Sequence, residues 1–300
     1  MAVAPAAAML ESASWTFSNG VIAGLLPVHV LMLVILGAGL AMLWRLHRAR
    51  EVYLVDYGCF LGEPRHRVPF TMALEHGRLM NKLIDEESLS FMVRLHQKSA
   101  ISEETSVPDS FRCIPPDRSI EASRQEAELV IFSAVDKALA RSKLNPKDID
   151  TVIVAFSFTT VTPVFADVVM NRYKLRDDVR SVNLSGMGCS GITLIAIGLA
   201  RNLLRVVPPG RHVLAIATEI LSPMLYTRTK REMLVPCPHH NVLFRMGAAA
   251  MILTNSPERA CFRLGPIVRT LTATWDSDYR CAFQEEDDEG ITGINLSKDS

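Results

Sequence analysis

The chain has 300 residues, 49% of them hydrophobic and 21% charged, enough for one large domain or two small ones beside a membrane anchor. Its 32 basic and 32 acidic side chains cancel, which removes the global electrostatic case for nucleic-acid binding. Six cysteines, at 59, 113, 189, 237, 261 and 281, form no Cys-x-x-Cys pair. That scatter reads as free thiols in a reducing compartment rather than a disulfide framework.

Residues 1–20 form an N-terminal tail. From Val21 to Leu43 the chain runs 23 residues without Lys, Arg, Asp or Glu, and His29 is the only ionisable side chain. A helix of that length is roughly 34 Å long, enough for the hydrocarbon core of a bilayer. Pro27 and the glycines at 24, 37 and 39 are tolerated in lipid. A buried core helix is the competing reading, but such a helix seldom lacks charge over its whole length. A cleaved signal peptide calls for a shorter apolar stretch behind a basic segment, and no Lys or Arg precedes this one. The sequence therefore predicts a transmembrane anchor over 21–44. Arg45, Arg48 and Arg50 follow it, so the positive-inside tendency places Trp44 onward in the cytosol. A second, weaker apolar segment within Met1–Trp15 would put the N-terminus in the cytosol as well.

Residues 45–118 read as a membrane-proximal connector, irregular and interrupted by Pro64, Pro69, Pro108, Pro115 and Pro116, with helices around Met72–Ile84 and Glu87–Gln97. The domain then occupies 119–300. Over Ser119–Ser142, Ala127, Val130, Ile131, Ala134 and Ala138 share one helical stripe, with Glu126 at its edge. Acidic residues open that helix and basic ones close it, matching the macrodipole. Strand and helix then alternate. Val152–Phe158 is a strand, Val164–Tyr173 a helix, Ser181–Leu184 a strand, Gly191–Val206 a helix and His212–Glu219 a strand. A tight Arg-Met-Gly turn leads into a last strand, Ala248–Leu253. This order predicts a layered α/β domain with a mainly parallel sheet.

The stretch that carries chemistry is Asn183-Leu-Ser-Gly-Met-Gly-Cys-Ser-Gly191. A strand ends, small residues turn the chain, and a long apolar helix begins at Cys189. Unpaired N–H groups and the positive end of the helix dipole favour thiolate there. Glycines at 186, 188 and 191 let the backbone turn and leave room for a substrate carbonyl. Backbone N–H groups around the turn suit an oxyanion hole. Physically this is a strand–nucleophile–helix elbow built on cysteine. A small buried cysteine in a glycine-rich turn is the plainer alternative.

Several short signatures in order bear on that choice. They are Asn171-Arg-Tyr-Lys-Leu-Arg, Asn183-Leu-Ser-Gly-Met-Gly-Cys-Ser, Leu243-Phe-Arg-Met-Gly, and Cys281 with Gln284-Glu-Glu-Asp-Asp-Glu-Gly, then Leu296-Ser-Lys-Asp. Upstream stand Val52-Tyr-Leu-Val-Asp-Tyr, Val130-Ile-Phe and Asn145-Pro-Lys-Asp-Ile. On these motifs the sequence resembles the plant 3-ketoacyl-CoA synthases, from about Val52 to Asp299. The resemblance implies an α/β thiolase-like layered fold, represented by its N-terminal half and the start of the second. It also implies an endoplasmic-reticulum membrane location and a decarboxylative Claisen condensation in very-long-chain fatty acid elongation. In that family the cysteine matching Cys189 takes the acyl group from acyl-CoA. Malonyl-CoA then loses carbon dioxide, and its carbanion attacks the thioester. A homo-oligomer or an elongase complex is the implied assembly.

The same resemblance implies a histidine and an asparagine from the second half of the fold, and none of the eight histidines here matches that histidine. The chain stops at Ser300, directly after Leu-Ser-Lys-Asp, where family members continue, so the condensing domain reads as incomplete. A catalytically incomplete membrane protein that associates with full-length elongase subunits is therefore the alternative reading. Pro236-Cys-Pro-His-His-Asn241 carries about four extra residues. Val242 stands where a family cysteine is expected, and Arg228 where a glycine is common. Cys237, His239 and His240 lack a fourth ligand and a known spacing, so no metal is expected, and no cofactor is called for. The acidic run Glu285–Glu289 reads as a solvated loop.

Overall fold

The computed structural model describes residues 28–42, 50–79, 85–99, 101–158, 161–186, 189–234 and 244–296. The chain divides into two compact units, Met1–Ala49 and Arg50–Ser300. In the first, residues 28–42 form helix α1, whose side chains are all exposed, among them Leu31, Leu33, Ile35 and Leu36. A helix apolar on every side has no polar face to turn to water. Among the described residues no helix is long and apolar enough to cross a membrane. The remainder of the predicted span, 21–27 and 43–44, lies outside the described residues.

The second unit is built on a six-stranded sheet in the order β3-β2-β4-β5-β1-β6. Its strands are β1 (Tyr53–Cys59), β2 (Thr151–Ala155), β3 (Arg180–Leu184), β4 (His212–Glu219), β5 (Gly247–Thr254) and β6 (Phe262–Arg263). Strand β2 is buried along its whole length. Its period of two sends Val152 and Val154 into one core and Ile153 and Ala155 into another. The first core packs beneath α4 (Ile120–Ser142) and α5 (Phe165–Tyr173), and the second beneath α6 (Cys189–Val206). A sheet covered on both faces needs apolar residues at both parities, which is why β2 and β4 read as unbroken apolar runs.

Helix α4 follows the predicted stripe. Ala127, Val130, Ile131, Ala134 and Ala138 are buried. The Ser119 hydroxyl caps its first turn by accepting the Ala122 N–H at 3.1 Å, and Lys143 ends it in the left-handed region at φ 56°.

Three expectations are corrected. The sheet is mixed rather than mainly parallel. β2 is parallel to β3 and β4, but β5 is antiparallel to β4, and β1 is antiparallel to β5 and β6. Helices α5 and α6 provide the crossovers that parallel neighbours need. Between β4 and β5 the described residues hold only a 3-10 turn, Ser222–Met224, and the four-residue α7, Arg231–Leu234.

The connector is the second correction. It contains the expected helices, α2 (Phe70–Leu79) and α3 (Glu86–Ser99), but Tyr53–Cys59 is a strand within the main sheet. At Gly58 that strand crosses α4 so closely that a Cβ would lie 2.2 Å from the Ala134 carbonyl oxygen.

The third correction concerns the acidic run: Glu285 and Glu286 close a strand, and only residues 287–289 form a loop, with Asp288 and Glu289 exposed. Past α8 (Asp276–Tyr279), β7 (Ala282–Glu286) and β8 (Thr292–Leu296) form a hairpin. Tyr226 donates its hydroxyl to Asp287 at 2.8 Å, Arg228 pairs with Glu289 at 2.7 Å and Lys230 with Glu285 at 2.6 Å. The residue found where a glycine is common, Arg228, is thus one of three side chains that clamp the hairpin. Of the six cysteine side chains, those of Cys59, Cys113, Cys261 and Cys281 are described, and all four are free thiols.

Candidate active site

The parallel strands β2, β3 and β4 end side by side, and in α/β sheets the carboxyl ends of such strands form the usual binding edge. Each contributes a distinct element. β3 ends at Leu184, and Gly186 follows with φ +71°, a conformation that favours glycine. Its N–H donates to the Ser157 carbonyl oxygen at 3.0 Å. Helix α6 begins at Cys189, two residues after the turn leaves the described stretch. Cys189 is thus the first residue of an 18-residue helix, at the positive end of its dipole. Met187 and Gly188 lie outside the described residues, as does the Cys189 side chain.

Sequence reasoning misses the group that braces this elbow. Glu219 is the last residue of β4. Its carboxylate accepts the Ser157 N–H at 2.9 and 3.1 Å, and the Phe158 N–H at 3.4 Å. Ser157 therefore links Glu219 to Gly186: its N–H faces the carboxylate, and its carbonyl oxygen holds the turn. Beside them, Phe156 donates its N–H to the Leu184 carbonyl at 2.9 Å. Asn183 accepts the Ala166 N–H at 3.1 Å, tying β3 to the start of α5. The one available sign is a carboxylate closing a strand whose centre, residues 213–217, is apolar.

Glu126 secures the chain just beyond Glu219. It is 3% exposed and accepts the Leu221 N–H at 2.9 Å, the Ser222 N–H at 2.8 Å and the Ser222 hydroxyl at 2.6 Å. Burial pushes its carboxyl up to about 7, against the opposing pull of these donors. Ser110 stands 2.7 Å from the Ser222 hydroxyl and donates to it, since the one Ser222 hydroxyl hydrogen goes to Glu126.

His212 opens β4, at the opposite end of that strand from Glu219. His239, His240 and Cys237 lie outside the described residues. Among the described residues no group of His, Cys, Asp and Glu is arranged to hold a metal.

This geometry agrees with what the chain resembles. A family model described as FAE1/Type III polyketide synthase-like protein matches residues 44–300. The chain belongs to this FAE1/type III polyketide synthase-like family. It is 40% identical over 275 residues to 3-ketoacyl-CoA synthase 5 of Arabidopsis thaliana, covering 91% of this chain and 54% of that protein. It is 42% identical over 255 residues to 3-ketoacyl-CoA synthase 6 of the same plant, covering 84% and 50%. The chain thus spans about half the length of the curated relatives it matches. Among solved structures it is similar to germicidin synthase from Streptomyces coelicolor, a type III polyketide synthase. There the TM-score is 0.60 at 20% identity, over 83% of this chain and 71% of that one. A type III pentaketide synthase from Neurospora crassa gives a TM-score of 0.63 at 18% identity, over 82% and 67%. At that identity the likeness shows the shared α/β thiolase-like fold.

Proposed function

We propose that these 300 residues supply the acyl-accepting half of a condensing site for very-long-chain fatty acid elongation, with Cys189 as its nucleophile. The observation that carries the reading is the elbow: β3, a glycine at positive φ, then Cys189 as the first residue of α6. In the first step the Cys189 thiolate attacks the acyl-CoA carbonyl, and the coenzyme A thiolate leaves. In the second, malonyl-CoA loses carbon dioxide and its carbanion attacks the Cys189 thioester. That step releases 3-ketoacyl-CoA and returns the thiolate. Its oxyanion and carbanion need donors, and the family resemblance assigns those to a histidine and an asparagine of the second half. Two 3-ketoacyl-CoA synthases at 40% and 42% identity support the substrate pair.

The anchor over 21–44 belongs to the same proposal. It is supported by the uncharged run Val21–Leu43, by the apolar surface of α1 and by Arg45, Arg48 and Arg50 behind it. The domain then faces the cytosol from the endoplasmic-reticulum membrane, as a homo-oligomer or within an elongase complex.

Microsomes expressing this chain, given acyl-CoA and radiolabelled malonyl-CoA, test the reading against a Cys189→Ala control. The expected result is an acyl thioester on the protein without 3-ketoacyl product. Product that the control removes would show a complete condensing site. Product that survives in the control would contradict the role of Cys189.

A further inference from the structure

Where β2, β3 and β4 begin, at the far end of these strands from the elbow, a cavity of about 230 Å³ opens. One wall is apolar, made by Leu203, Val207 and Pro208 at the end of α6. That wall is fixed in place, because the Asn255 amide donates to the carbonyls of Leu204 at 2.9 Å and Pro208 at 2.8 Å. The opposite wall sets three guanidinium groups against two carboxylates. Asp150 accepts from Arg176 at 2.9 Å and from Arg211 at 2.7 Å, and Asp178 accepts from Arg176 at 2.8 Å.

These pairs use both carboxylates and leave one arginine over. Arg180, the first residue of β3, is exposed and lines the cavity. Its backbone N–H donates to the Asp150 carbonyl at 3.1 Å, but its guanidinium has no hydrogen-bond or ion-pair partner among the described residues. His212, an imidazole, supplies no negative charge to offset it. Burial holds its imidazole below the usual histidine range, with Asp150 pulling the other way. A brace across the strand starts accounts for Asp150, Arg176 and Arg211, but it requires neither the open space nor Arg180.

The position of the cavity indicates what fills it. Arg50, the first residue of the domain unit, donates to the carbonyl of Val207 on the cavity wall. It stands six residues past Trp44, where the proposed anchor ends, and six residues of extended chain reach at most about 20 Å. We infer that this cavity binds the phosphate of an anionic membrane phospholipid, with Arg180 as the principal donor and the glycerol end against Leu203 and Val207. A guanidinium with free donors beside an apolar wall fits such an amphiphile, and the cytoplasmic leaflet supplies anionic headgroups. The inference rests on the anchor reading above.

The test is thermal unfolding of the full chain in non-ionic detergent, titrated separately with dihexanoyl phosphatidic acid, dihexanoyl phosphatidylcholine and inorganic phosphate. The expected result is a saturable rise in Tm with phosphatidic acid, none with phosphatidylcholine, and at least tenfold weaker binding of inorganic phosphate. Arg180→Gln weakens the phosphatidic acid response roughly tenfold or more, the loss of a charge-assisted hydrogen bond. Arg269→Gln, which removes an exposed arginine outside the cavity, leaves the response unchanged. Equal affinity for inorganic phosphate would assign the cavity to a soluble phosphate and overturn the lipid. No saturable rise, or one that Arg180→Gln leaves intact, overturns the site. Carbonate extraction of microsomes tests the anchor by itself, so release of the chain there is distinguishable from failure of the phosphate site.

Discussion

Glu126 and Ser222 lie 96 residues apart in sequence and meet inside the domain, where the Ser222 hydroxyl donates to the Glu126 carboxylate at 2.6 Å. Both groups are buried. Together they fix the backbone three residues past Glu219, the carboxylate that braces the elbow. A buried acid in this position makes the brace sensitive to pH, and the sense of that dependence follows from the proton count.

The Glu126 carboxyl titrates at about 7 in the folded chain against an ordinary 4.5. Between those values the folded state holds a proton that the unfolded chain has released, so stability falls as pH rises. The contribution is complete below about 4.5 and lost above about 7, an effect on the order of 3 kcal/mol. Unfolding in detergent at pH 5 and pH 8 measures it. Glu126→Gln removes this component of the slope. It also costs roughly 1–3 kcal/mol at the lower pH, because an amide NH₂ turned toward backbone N–H groups leaves buried donors unpaired. Equal slopes in the two proteins would show that Glu126 does not titrate in this range.

Glu219 acts on the elbow through Ser157 and touches backbone N–H groups, so Glu219→Gln is expected to slow acylation of Cys189 rather than weaken acyl-CoA binding. A turn misplaced by a fraction of an ångström to one ångström costs about 10- to 100-fold in rate. Single-turnover acylation at several acyl-CoA concentrations separates the two effects. A raised KM with an unchanged maximal rate would place Glu219 in substrate binding instead.

Gly58 marks the closest passage between β1 and α4. A methyl group there meets the backbone at Ala134 and Ala138, at 2.2 and 2.6 Å, and a helix backbone cannot swing aside as a long side chain does. Gly58→Ala is expected to destabilise the domain by about 2–3 kcal/mol, the cost of overpacking a filled site. A change in unfolding free energy below about 0.5 kcal/mol would show that β1 shifts freely.

These cases mark what the sequence discloses and what it withholds. β2, β4 and α6 were legible because both faces of the sheet are covered and the helix stripe is local. The observed bounds of β4 are those the sequence predicts, and α6 starts two residues earlier than its periodicity indicates. The strand at Tyr53–Cys59 was missed because only Val55 and Gly58 along it are buried, and its partner β5 lies nearly 200 residues away. Strand direction carries no periodic signature, so the mixed sheet was invisible as well. Glu126 falls at the edge of its stripe, but its burial depends on donors from Leu221 and Ser222. Glu219 had no local mark beyond a charge at a strand end. The elbow at Cys189 was legible because turn, strand and helix all fall within nine residues.

Mass spectrometry of the full chain after incubation with a long-chain acyl-CoA tests the role of Cys189 most directly. One acyl group, labile to hydroxylamine, is expected on the peptide carrying Cys189 and absent from Cys189→Ala. Acylation confined to another cysteine, or an equal acyl load on Cys189→Ala, would contradict it.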